Sequence, residues 1–236
     1  MGNTPSYEGP FADVELAALA APLVVFDKRF VSGAGGMRLR MDDSSSTSKS
    51  LAFKDATSRE VLFRTGADVE LRTLLDADKK PIATLATKGD ISRVFYAYRP
   101  ETAPAMTAAS NGFVVDASDE SELLQIYVKL GELTKTAYLP TDLRVDFRDA
   151  ATGERCKVEM EGEWRARSAV LWLERRSSGV RTLIARVFRS KGALRSDFFV
   201  EVVPNVDLAL VVLALALADD VLKKERRLAR FGISPE

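Results

Sequence analysis

The sequence predicts a mainly β protein, a closed antiparallel barrel of two similar halves around an apolar C-terminal helix. Three observations carry this. Period-two hydrophobic alternation recurs along the chain, strand patterns of the first half reappear in the second, and VDLALVVLALALADDVL at 206–222 contains a run that is apolar on every side. Alternation buries one face of a strand and leaves the other in water, as in antiparallel sheets. A helix that is apolar all round must be enclosed, by lipid or by protein.

The elements follow in order. Residues 1–21 form a leader with two prolines and an Ala-rich patch at Leu16–Ala21, read as disordered or as a short helix, and 22–222 form the barrel domain. Met37, Leu39 and Met41 alternate with arginines, and DDSSSTSKS at 42–50 is a polar loop. Ala103–Ser110 reads as a connector between the halves. In the second half Leu143, Val145 and Phe147 alternate with charged residues, as do Cys156, Val158 and Met160. Phe198, Val200 and Val202 share one strand face. Turn residues at 55–58, 76–80, 151–153 and 177–179 separate the strands. FKDA at 53–56 recurs as FRDA at 147–150, and LLD at 74–76 followed by PIATLATK at 81–88 matches LWLE at 171–174 followed by TLIARVFR at 182–189. Two such sheets closed on each other leave no free edge. Their interior needs filling, and the segment after Asn205 is the element apolar enough to fill it.

Length decides what encloses that segment. The uninterrupted run Leu208–Ala218 reaches only about 16 Å at ~1.5 Å per residue, against ~30 Å of bilayer hydrocarbon. A core helix over 206–222 is therefore expected. Asn205 is the expected N-cap, and Asp207 in the first turn meets the positive end of the helix dipole. Asp219 and Asp220 each precede a lysine by four residues, Lys223 and Lys224, so a basic stretch should continue the helix to about Ala229 within a tail at 223–236.

The 236-residue chain has 34 cationic and 34 acidic side chains, so no bulk charge points to nucleic acid, and none is expected as a partner. A single cysteine, Cys156, rules out an intramolecular disulfide, and its place on an apolar face reads as a small core residue. No cationic stretch precedes Phe26, which argues against a secretory signal and for an intracellular protein. Histidine is absent, which removes Ser-His-Asp and Cys-His catalysis and HExxH zinc sites. The acidic groups at Asp42-Asp43, Asp76/Asp78 and Asp116–Glu122 lack the pattern of a calcium loop and read as turn residues. No catalytic, cofactor or metal residue is expected.

Several stretches together resemble the LURP-one-related family, which shares the tubby C-terminal fold with the tubby proteins and the phospholipid scramblases. FKDATSREVLF at 53–63 resembles a family hairpin, with Ser58 where glycine is usual. RTLLDADKKPIATLATK at 72–88 resembles another, and FYAYRP at 95–100 the aromatic strand after it. Gly162 and Trp164, with Arg167 and Ser168 beyond, resemble the family's G-x-W and the strand that follows it in the second half. FVEVVPNVDLALVVLALALADDVL at 199–222 resembles the most distinctive segment. The similarity spans about residues 22–222. It implies a twelve-stranded barrel threaded by the C-terminal helix, and little about activity.

Function is expected to be non-enzymatic binding in the cytoplasm, peripherally at membranes, with anionic phospholipid or phosphoinositide as the ligand. MGNTPS at 1–6 fits an N-myristoylation pattern with Gly2 as acceptor. One acyl chain anchors only marginally, so a basic patch is needed as a second signal. Lys223, Lys224, Arg226 and Arg227, with Arg230, are the candidates; as plain chemistry they also complement the helix dipole. A protein-binding scaffold is the alternative, and a scramblase-like lipid transporter a second.

Overall fold

The computed structural model describes residues 11, 14–42, 50–66, 72–87, 94–101, 122–129, 142–164, 166–189 and 198–230. The connector expected at Ala103–Ser110 lies outside them, as does nearly all of the 42–50 loop. The strands are β1 (Met37–Asp42), β2 (Ala52–Asp55), β3 (Val61–Thr65), β4 (Arg72–Asp76), β5 (Pro81–Thr87), β6 (Val94–Tyr98), β7 (Glu122–Lys129), β8 (Asp142–Arg148), β9 (Arg155–Glu163), β10 (Ser168–Arg175), β11 (Arg181–Arg189) and β12 (Phe198–Val202). They are followed by helix α1 (Leu208–Arg230). Each strand pairs antiparallel with the next, and β12 returns to β1 with Met37 opposite Val202, so the barrel closes.

The repeat read in the sequence falls on equivalent strands. FKDA and FRDA lie on β2 and β8, and the later motifs on β4/β5 and β10/β11. Each pair is half a circuit apart. The turns after FKDA and FRDA are built alike. Asp55 N–H donates to Glu60 O at 2.9 Å and Arg59 N–H to Asp55 O at 3.0 Å; Asp149 N–H donates to Glu154 O at 2.9 Å and Gly153 N–H to Asp149 O at 2.7 Å. The left-handed residue is Gly153 (φ 73°) in one turn and Arg59 (φ 65°) in the other. The glycine position therefore belongs to Arg59, one residue after the Ser58 expected. The Asp55 carboxylate accepts Thr57 and Ser58 N–H, which holds the turn and offsets the strain of a side chain at positive φ.

Gly162 shows the opposite case. At φ 116° an added Cβ would lie 2.5 Å from Ser168 O and 2.9 Å from Ala169 Cα, so only glycine fits this strand end.

Inward side chains of all twelve strands form one apolar cluster with α1. From Leu208 to Asp220 no residue of α1 exceeds 6% exposure, so the helix is enclosed by protein on every side. A gap of about 10 Å³ beside Leu213, Ala216 and Leu217 is at the threshold for one water. Cys156 is buried and free, as expected, and burial pushes its thiol up to about 11.

The barrel has two unlike ends. The hairpins after Asp55, Asp76, Asp149 and Arg175 and the link from β12 share the end where α1 begins. Residues 19–32 cross this closed end. Leu19, Leu23, Val24, Val25 and Phe26 are buried there, so the chain packs onto the barrel from Leu19, within the stretch read as leader. Backbone bonds run from Leu19 N–H to Pro204 O and from Leu23 N–H to Asn205 O. Asn205 is not the helix cap. Its φ is 69° and its amide donates to Leu19 O at 2.7 Å. Asp207 caps instead, accepting Ala209 N–H at 3.0 Å. The strand ends Asp42, Thr65, Thr87, Lys129 and Arg189 mark the other end, where α1 leaves.

Candidate functional site

At the exit end the turn from β9 to β10 delivers Arg167 into the core. Its N–H bonds Trp164 O at 3.0 Å, and its φ of 56° turns the side chain inward. The guanidinium lies 4.4 Å from the ring centroids of both Trp164 and Phe198, which meet edge to face at 5.6 Å. It donates to Asp219 Oδ1 at 2.5 Å, and Lys223 Nζ lies 3.0 Å from Asp219 Oδ2. The Arg167 and Asp219 side chains are 6% and 2% exposed, while Lys223 reaches solvent at 36%. Two cations thus satisfy one buried carboxylate, and two aromatic rings pack around the guanidinium.

This geometry changes the standing of the expected basic patch. Lys223 is an ion-pair partner of the core and not a free surface cation. The side chains of Lys224, Arg226 and Arg227 lie outside the described residues, as does Gly2. The backbone of α1 does continue to Arg230. At helical spacing, positions 223, 226, 227 and 230, all Lys or Arg in the sequence, fall on one face of α1 in line with position 219, a basic stripe of positions.

A second polar region covers the outer wall, in a cleft of about 700 Å³ over β7–β10. Strand register sorts its charges into rows. Asp146, Lys157 and Glu174 stand opposite one another, with Lys157 Nζ 3.2 Å from Glu174 and 3.0 Å from Glu159. Arg144 pairs with Asp146 through two bonds of 2.6 and 2.8 Å, which raise its pKa. The next row toward the closed end holds Arg148, Arg155 and Arg176. Sequence reading missed this row. Its only trace was an arginine on each side of the 149–154 turn, and nothing in the sequence fixes the β9–β10 register that brings in Arg176.

No group of metal-ligating side chains occurs among the described residues. Nor is any helix among them long and apolar enough to cross a membrane. A closed twelve-stranded antiparallel barrel filled by a helix of its own chain is the tubby-like architecture. The chain belongs to the LURP-one-related family, whose model matches residues 37–219. No curated protein and no solved structure matches the chain.

Proposed function

We propose that this protein is a non-enzymatic binding module that docks on anionic phospholipid through the basic stripe at its exit end. The carrying observation is that α1 runs unbroken from the packed core to Arg230, so the stripe is fixed to a rigid barrel. The interior is occupied by that helix, which leaves no room for an acyl chain, so a lipid would be met at its headgroup. Each Lys or Arg near an anionic leaflet contributes about 1 kcal/mol. Acylation at Gly2 would supply the second anchor such a patch needs.

Flotation of the full chain with phosphatidylcholine vesicles, with and without phosphatidylserine, tests this. Replacing Arg226, Arg227 and Arg230 together by alanine should lower partitioning onto the anionic vesicles on the order of 100-fold, at about 1 kcal/mol for each cation. Mass spectrometry of the cell-derived N-terminus, with Gly2→Ala as control, reads acylation separately. Binding that ignores phosphatidylserine, or that survives the triple substitution, refutes the proposal; recovery of specific protein partners by such a lipid-blind protein would establish the scaffold reading instead.

A further inference from the structure

Like charges directly opposite on neighbouring strands destabilise a sheet. The outer wall of this barrel nevertheless carries three in a row. Arg148 stands opposite Arg155 in the β8–β9 register. Arg176 N–H donates to Arg155 O at 3.1 Å, which sets its residue beside Arg155 on the third strand. All three are exposed and line the same cleft.

Asp149 and Glu154, the acids of the adjoining hairpin, do not neutralise them. Asp149 accepts Val24 and Ala151 N–H on one oxygen, and Thr152 Oγ1 and Arg175 on the other. Glu154 accepts Ser177 N–H and its hydroxyl on one oxygen and Arg175 on the other, and these bonds hold its carboxyl below the usual range. The row below is already balanced, since Lys157 sits between Asp146 and Glu174. Arg148 makes one bond, from Nη1 to Gly153 O at 2.7 Å, which steadies it over the hairpin. None of the three arginines makes an ion pair with a described residue.

We propose that Arg148, Arg155 and Arg176 form a binding site for the dianionic phosphate of a phosphomonoester. Strands ~4.8 Å apart put the three stems within about 10 Å, so their forks converge on one tetrahedral oxyanion. Three forks match its oxygens, and two negative charges relieve the repulsion within the row. This site is independent of the basic stripe. It lies toward the closed end, while Lys223 lies about 20 Å along α1 at ~1.5 Å per residue, where the helix leaves.

Phenyl phosphate and inorganic phosphate, titrated calorimetrically into the full chain, are the soluble probes. Phosphatidylcholine vesicles containing phosphatidic acid present the same monoester on a lipid. Wild type should bind phenyl phosphate, which should also raise its melting temperature. Arg155→Gln should weaken binding on the order of tenfold, the loss of one charge-assisted fork. Arg155→Lys should weaken it comparably, because an ammonium keeps the charge and loses the fork. Arg144→Gln, outside the row, should stay within about twofold. Without ligand, Arg155→Gln should melt no lower than wild type, since it relieves a like-charge pair, and this separates lost binding from lost folding.

Capture of phosphatidic acid vesicles that depends on Arg155 places the monoester on a lipid. Binding of phenyl phosphate with such vesicles ignored places it on a soluble molecule. No binding of either probe, or binding unchanged in Arg155→Gln, overturns the site. Removing the basic stripe should leave phenyl phosphate binding intact, so the two proposals fail separately.

Discussion

Asp207 and Asp219 bracket the apolar run of α1 and look equivalent in the sequence, yet the fold satisfies them in opposite ways. Asp207 sits at 0% exposure among backbone donors: Val25 and Phe26 N–H at 2.9 and 2.8 Å on one oxygen, Ala209 on the other. No cation approaches it among the described residues. Burial raises its pKa, opposed by N–H bonds from Phe26, Val25, Ala209 and Leu210. Asp219, at 1%, meets the Arg167 guanidinium and Lys223. The closed end thus uses a carboxylate to stitch the crossing segment to the helix start, whereas the exit end uses one to anchor a cation. A buried carboxylate needs donors, and the fold can supply them as neutral backbone or as charge.

The severest test removes the feature both ends share. Leu213→Asp puts an unpaired charge where the wild-type residue is 1% exposed, and should cost more than about 5 kcal/mol, so no cooperative melting transition should remain by circular dichroism. A cooperative fold in that variant would mean that protein does not enclose α1.

Next comes the exit end. Arg167→Met leaves Asp219 with Lys223 alone and should cost about 3 kcal/mol in urea unfolding. Adding Asp219→Leu should recover most of that, because an apolar pair replaces a half-broken ionic one. If the double variant is no better than the single, charge pairing is not what anchors this end.

Asp207→Asn should cost about 1–3 kcal/mol, since an amide has one oxygen for donors that now share two. Its pH dependence distinguishes the ends. The folded carboxyl has the higher pKa, so the fold binds the proton more tightly than the unfolded chain. Asp207's contribution is fully present below its unfolded value and is lost as pH rises through the folded one. The stability gap between wild type and Asp207→Asn should therefore shrink from acid toward neutral pH in urea titrations. A gap that widens would reverse the assignment. Lys223→Ala is the gentlest probe, expected to cost under about 1 kcal/mol because its ammonium is already partly in water.

Much of this fold was legible in local patterns. Leu213 and its neighbours announced an enclosed helix, Cys156 a small core residue, and FKDA with FRDA a duplicated sheet. The helix cap was not legible, because Asn205 and Asp207 are both good caps by type. Only the segment crossing the closed end, which claims the Asn205 amide for Leu19, decides between them. Arg167 read as one more polar strand residue. Its inward turn depends on a left-handed backbone and on an acid 52 residues away in sequence. The arginine row depends on the pairing of three strands, which periodicity within each strand does not encode.

The sequence by itself determined the building blocks: strands with one apolar face, two matching halves, and a helix whose apolar run is too short for a bilayer and too apolar for water. These follow from local spacing, because hydrophobic period and length act on each segment separately. The tertiary structure decided the partners. It chose backbone donors for one aspartate and an arginine for the other, and it aligned three arginines on one wall. Those choices rest on closure of the barrel, which brings together residues that share no local signal.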